Sequence, residues 1–294
     1  MIALVFEIVS DARRRAEEDG LHDPPPRAAV EFHILCVGDS HTAGSGAPSG
    51  RGYPEQLQEL LDARAPGRYG VVNIGRAGFN SSQSLHRTRR YIERYPRAAD
   101  LIVFCAGFNN AWNFAKASVL PEEIRDAPLK VQFRHLLAES AVYRFGQITK
   151  SRFKQFLKTA SSYGDVRTTV LESGEPAELE FLTTWLERDL ENLITLADAQ
   201  GARVALLTYW NWSEASPQMN AYYAEAVRRR ALMIDVANFG FPRSESRQAR
   251  HFVQPDQHPN EAGYARIARS IFNALVERSL VPGESVPLDG VIHP

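Results

Sequence analysis

The sequence predicts an α/β protein with a central, mostly parallel five-stranded sheet and helices on both of its faces. Three observations carry that prediction. Apolar runs of strand length alternate with stretches of helical periodicity, the run DLIVFCA is apolar almost throughout, and the runs lead into loops rich in glycine and asparagine. A strand apolar on both sides is covered on both sides, which marks a parallel sheet between helical layers.

The elements follow in order. Residues 33–38 (HILCVG) read as a buried strand closed by Gly-Asp-Ser, and a polar, glycine-rich loop follows. Leu57, Leu60 and Leu61 stripe a helix over 53–64, residues 69–74 (YGVVNI) form the second strand, and 82–95 a second helix. Residues 100–106 are the third strand. A long insertion, 113–200, then carries helical stretches at 128–158 and 178–199. Residues 203–208 (RVALLT) give the fourth strand, 217–230 a helix, 232–236 the fifth strand, and 260–277 a C-terminal helix. Strand-helix alternation of this kind implies right-handed crossovers and a doubly wound sheet, whose ligand crevice lies outside the carboxyl ends of the strands. The insertion begins and ends near that edge, as a lid would.

Composition bounds the organisation and the partners. A chain of 294 residues with 44% hydrophobic and 23% charged side chains builds a sizeable core, and we expect a leader over 1–30, one domain over 31–280 and a tail over 281–294. With 34 basic against 35 acidic residues, the net charge of -1 provides no electrostatic footprint for nucleic acid. Cys36 and Cys105 lack metal-type spacing and sit in apolar runs, so buried free thiols are expected rather than a bridge. The apolar start MIALVFEIV is too short to span a bilayer, and Arg13, Arg14 and Arg15 follow it rather than precede it as in a signal peptide. A soluble, cytoplasmic protein is the expectation, although an apolar start followed by basic residues also suits the cytoplasmic edge of a membrane segment.

The loops at the predicted carboxyl edge hold Gly38-Asp39-Ser40, Asn73-Ile74-Gly75-Arg76-Ala77-Gly78, Gly107-Phe108-Asn109-Asn110, Tyr209-Trp210-Asn211-Trp212 and Asp256-Gln257-His258-Pro259-Asn260. A serine hydroxyl becomes a nucleophile when a base takes its proton, and the base works best when an acceptor orients its other ring nitrogen. Ser40, His258 and Asp256 fit those roles. The oxyanion formed on attack needs fixed donors, which the Ser40 and Gly78 backbone N–H groups and the Asn109 side-chain amide can supply. A chance Gly-Asp-Ser occurs in roughly one chain of this length in ten, so the ordered set of blocks carries the signal rather than any one of them.

This constellation resembles the SGNH hydrolases, the GDSL esterase and lipase family, over four blocks between about residue 33 and residue 278. The resemblance implies a flavodoxin-like three-layer sandwich, hydrolysis of short acyl esters, and no metal or other cofactor. It carries the nucleophile to Ser40, the oxyanion glycine and asparagine to Gly78 and Asn109, and the base to His258. Two positions depart from the family pattern. The acid usually stands three residues before the histidine, where this chain has Pro255, while Asp256 is two before; in an extended loop, residues two apart project to the same side. The third block commonly ends in Asp, and here Asn110 follows Asn109.

Other residues have plainer readings. Asp39 is expected to fix the first loop, His41 is an alternative base that sequence neighbours rarely align for, and Arg87, Arg89 and Arg90 read as a solvated basic face. Trp112, Trp210 and Trp212 follow strand ends, where aromatic faces pack on an acyl chain or sugar ring if they are not simply core. The leading expectation is a serine esterase acting on a small-molecule or carbohydrate ester through an acyl-Ser40 intermediate. Transfer of the acyl group to a carbohydrate hydroxyl uses the same residues. A non-catalytic ligand-binding module on the same fold is the alternative from another class, and a nucleotide-binding protein ranks third because no phosphate-binding glycine motif opens a helix.

Overall fold

The computed structural model describes residues 23–115, 127–138, 176–210, 220, 223, 231–236, 250–253 and 258–281. Strands β1 (Phe32–Gly38), β2 (Tyr69–Asn73), β3 (Leu101–Cys105), β4 (Arg203–Leu207) and β5 (Leu232–Ile234) form one sheet in the order β2-β1-β3-β4-β5. Every neighbouring pair is parallel. β3 is buried at all of its positions, as its unbroken apolar run requires of a strand covered on both faces.

The described helices are α1 (Ser40–Ala43), α2 (Tyr53–Arg64), α3 (Ser81–Arg94), α4 (Phe108–Ala115), α5 (Leu129–Ala138), α6 (Pro176–Gln200) and α7 (Glu261–Glu277). α2 packs on α7, and α3 packs on α6, which gives the two helical layers that right-handed crossovers demand. α2 starts with Pro54 in its first turn, where a missing N–H costs nothing, and turns Leu57 and Leu61 inward. α3 starts from a capping box: the Asn80 side chain accepts the Gln83 N–H at 2.8 Å, and the Gln83 side chain accepts the Asn80 N–H at 3.0 Å.

The structure divides the long insertion. Its last stretch, α6, lies against α3 and β4 and buries Trp185, Leu186, Leu190, Leu193 and Ala197, so it is the crossover helix of the β3-to-β4 connection. Residues 116–126 and 139–175, where a lid would fall, lie outside the described residues. The described end of the leader is fastened to the domain. The buried Asp23 carboxylate pairs with Arg87, the Tyr91 hydroxyl donates to the Pro24 carbonyl at 3.0 Å, and Arg27 pairs with Asp62 at 3.0 Å. Arg87 therefore departs from the solvated basic face expected of it, because its partner comes from the leader. Residues 1–22 lie outside the described residues.

Cys36 and Cys105 are buried free thiols. In register Cys36 faces Val103 and Cys105 faces Gly38, so the two sulfurs are not opposed. Burial pushes both thiols above their ordinary range.

Candidate active site

The strand order reverses between β1 and β3, since the chain leaves β1 for β2 on one side and returns to β3 on the other. The crevice at that switch point is where an open α/β sheet binds ligands. At the end of β1, Gly38 is required by close approach: a Cβ there would lie 2.2 Å from the Cys105 carbonyl oxygen and 2.3 Å from Thr42 Oγ1. The contact lets the Asp39 N–H donate to Cys105 O at 3.1 Å, which fixes the β1 loop against β3.

Asp39 is the N-cap of α1 and puts Ser40 at the first helical position, where a backbone N–H has no partner inside the helix. The carboxylate is 1% exposed and fully engaged. Oδ1 accepts the His41 N–H at 3.0 Å and the His41 Nδ1–H at 3.1 Å, while Oδ2 accepts the Tyr209 hydroxyl at 2.7 Å. Burial pushes the Asp39 pKa up, but the His41 ring and these hydrogen bonds outweigh it and hold the group below the ordinary carboxylate range. This is the arrangement of a loop-fixing residue.

His258 Nε2 lies 2.8 Å from Ser40 Oγ, although 218 positions separate the two in the chain. The loop before α7 delivers the ring. An antiparallel bridge joins Phe252 to Pro259, Val253 N–H donates to the His258 carbonyl at 2.8 Å, and Asn260 caps α7 by accepting Gly263 N–H at 3.0 Å. The His41 ring is committed to Asp39 rather than to Ser40. It sits beside His258 with ring centroids 5.0 Å apart, and Trp210 meets its edge at 5.1 Å.

Gly78 lies in a turn in which Phe79 N–H donates to Arg76 O at 3.2 Å, while Arg76 N–H donates to Gly38 O at 2.9 Å and ties the turn to the end of β1. Its φ of 82° explains the glycine, since only a residue without a Cβ takes a left-handed third turn position at little cost. Among the described residues no atom would crowd a Cβ there, and the positive φ is the reason the position takes glycine. Asn109, in the first turn of α4, donates from Nδ2 to the Phe79 carbonyl at 3.0 Å and so joins its loop to the Gly78 loop.

The structure thus brings Ser40 to His258 and links the loops of Gly78 and Asn109. Asp256 and Trp212 lie outside the described residues, as does the Trp112 side chain, although its backbone belongs to α4. Trp210 is 5% exposed and packs behind His41 and against Tyr53, so it is a wall of the site rather than an open ligand face. Sequence reasoning missed Tyr209. Its hydroxyl joins Asp39 to the Phe108 N–H at 3.3 Å, and its position directly after β4 was the only signal that it belongs to this edge. Among the described residues no cluster of three or more His, Cys, Asp or Glu side chains could hold a metal ion, and no helix is long and apolar enough to cross a membrane.

Comparison with known proteins identifies the fold and the family. The GDSL-like Lipase/Acylhydrolase family pattern matches residues 36–266. The uncharacterized protein YpmR of Bacillus subtilis (strain 168) is 20% identical over 290 residues, which cover 95% of this chain and 96% of that one. Among solved structures, the psychrotrophic esterase EstA from Pseudoalteromonas sp. superposes with a TM-score of 0.52 at 14% identity, covering 85% of this chain and 99% of its own. LAE5, an alpha/beta hydrolase from the metagenome of Lake Arreo, Spain, gives a TM-score of 0.51 at 18% identity over 84% of this chain and 95% of its own. These structures share the fold, and the family pattern runs from β1 into α7 across every loop of the site. The chain belongs to the GDSL-like lipase/acylhydrolase family.

Proposed function

We propose that the protein is a serine esterase that cleaves short acyl esters through an acyl-Ser40 intermediate. The observation that carries the reading is the 2.8 Å contact between Ser40 Oγ and His258 Nε2, a nucleophile and base already within hydrogen-bond reach. Attack of Ser40 Oγ on the ester carbonyl passes the hydroxyl proton to His258 Nε2. Collapse of the tetrahedral species breaks the ester C–O bond, and His258 returns the proton to the departing alkoxide. Water then enters by the same route in reverse and releases the acid. The Ser40 and Gly78 N–H groups and the Asn109 amide are the proposed oxyanion donors, each worth about 2.7–4 kcal/mol of transition-state stabilisation. Asp256 is the proposed acid that orients His258.

An intact serine-histidine contact favours catalysis over a binding module that has lost its chemistry. Hydrolysis of p-nitrophenyl esters from acetate to octanoate tests the reading, with wild type, Ser40→Ala and Asp256→Asn compared. Wild type should prefer the short esters, Ser40→Ala should lose at least about a thousandfold in kcat, and Asp256→Asn should lose up to about ten-thousand-fold. Activity that survives in Ser40→Ala contradicts the mechanism. Product analysis with a sugar acceptor separates hydrolysis from transfer to a carbohydrate.

A further inference from the structure

Asp189 is a carboxylate on the buried face of α6, 3% exposed, in a stretch otherwise given to Trp185, Leu186, Leu190 and Leu193. A charge so placed is costly unless hydrogen bonds engage it. Its Oδ2 accepts the hydroxyls of Ser81 at 2.5 Å and Ser82 at 2.6 Å, the first two residues of α3, and Arg188 stands 3.8 Å from its Oδ1. Burial raises its pKa above the ordinary carboxylate range, and the two serine hydroxyls offset that rise only in part.

With Asp189 ionised, the direction of every bond in this network is fixed. Trp185 Nε1–H can only donate, and it does so to Ser82 Oγ at 2.7 Å, which leaves the Ser82 proton for Asp189. Ser81 N–H can only donate, and it does so to Asn110 Oδ1 at 2.9 Å, which sets the amide orientation. Asn110 Nδ2 then donates to Ser81 Oγ at 2.7 Å, and the Ser81 proton too goes to Asp189. An aspartate at position 110 would have no hydrogen to give. Two buried carboxylates would then contest one serine proton. Asn110 and Asp189 are therefore a matched pair.

We propose that Asp189 is a positioning residue for the oxyanion hole, acting from α6 through Ser81 on the tie between the two loops. Ser81 stands just beyond Gly78 and Phe79, and Asn110 follows Asn109, so the Ser81-Asn110 tie holds together the two loops that carry two of the proposed oxyanion donors. Asp189 engages that tie from α6, the neighbouring helix of the same layer. The role rests on the serine-esterase reading of the site.

The test is a four-protein cycle of wild type, Asn110→Asp, Asp189→Asn and the double variant, all full-length, each assayed with p-nitrophenyl acetate and melted in parallel to monitor folding. Asn110→Asp should lower kcat at least about tenfold with KM nearly unchanged, because two carboxylates then face Ser81. Asp189→Asn should lower kcat by only about threefold, since an amide oxygen still accepts both hydroxyls. In the double variant the amide and carboxylate exchange sides and Ser81 reverses its hydroxyl, while the Ser82 hydroxyl loses the acceptor it had on position 189, so kcat should rise at least about threefold above that of Asn110→Asp without reaching wild type. Failure of Asp189→Asn to rescue Asn110→Asp overturns the proposal. So does a cycle that moves the melting temperature and leaves kcat alone, for that is a merely structural role. A wild type that hydrolyses no ester and takes up no serine-directed phosphonate overturns the esterase reading and this role with it, whereas an active wild type without rescue overturns the role alone.

Discussion

At position 41, where the Gly-Asp-Ser-Leu motif that names the family has leucine, this chain has a histidine whose ring is held by Asp39 and lies beside His258. Leucine cannot donate to a carboxylate, so in this chain the loop-fixing acid has gained a buried donor. Removing Asp39 strands several groups at once. Asp39→Ala loses an N-cap worth about 1 kcal/mol and leaves the Tyr209 hydroxyl and His41 Nδ1–H without their buried acceptor at about 1–3 kcal/mol each, so urea unfolding should register a loss of roughly 3 kcal/mol or more. The pH dependence has a definite sign. Because the folded-state pKa of Asp39 is depressed, its ionic contribution is complete above the unfolded value of about 3.9 and is lost as pH falls through the lower folded value. Wild type should therefore exceed Asp39→Asn in stability at pH 7, and the gap should narrow towards pH 3. A gap that stays constant over that range contradicts an ionised, paired Asp39. The loop-fixing role of Asp39 was legible in the sequence, but its pairing with His41 was not, since the sequence puts the two residues two apart without saying that ring and carboxylate both turn inward.

The elements were more legible than the residues, because strand and helix periodicities are local while contacts are not. All five strands begin within one residue of expectation, and the helices of residues 53–64 and 261–277 follow their apolar stripes closely. The role of α6 was not legible. Its stripe of Leu182, Trp185, Leu186 and Leu190 announces a helix, but periodicity cannot say which layer a helix joins, so the stretch read as insertion rather than crossover. Trp210 marks the other limit: its place after β4 was readable, and its burial behind His41 was not, because that depends on α1 and α2 closing over it. Two outcomes follow for the strands. Gly38→Ala forces a methyl group into the Cys105 carbonyl and should destabilise the fold by about 1–3 kcal/mol or more, read from thermal unfolding against wild type. Cys36 and Cys105, in the sheet core with thiol pKa values raised by burial, should resist a maleimide in native buffer and react once the protein is unfolded; rapid native labelling contradicts the described packing.

At the scale of the molecule, the sheet order brings four sequence blocks to one edge. The reversal between β1 and β3 opens the crevice, the β1 loop brings Ser40, the β2 and β3 loops bring Gly78 and Asn109, and the loop before α7 swings His258 back across the chain to within 2.8 Å of Ser40. That convergence is why the order of the blocks was readable as a candidate site from sequence while their distances were not. The most direct test of the account is labelling of the folded full-length protein with a serine-directed fluorophosphonate, followed by intact mass and peptide mapping. The account predicts one adduct, on Ser40, formed at a rate that His258→Ala reduces at least about a hundredfold. An adduct on another residue, or none on a protein shown to be folded, contradicts it.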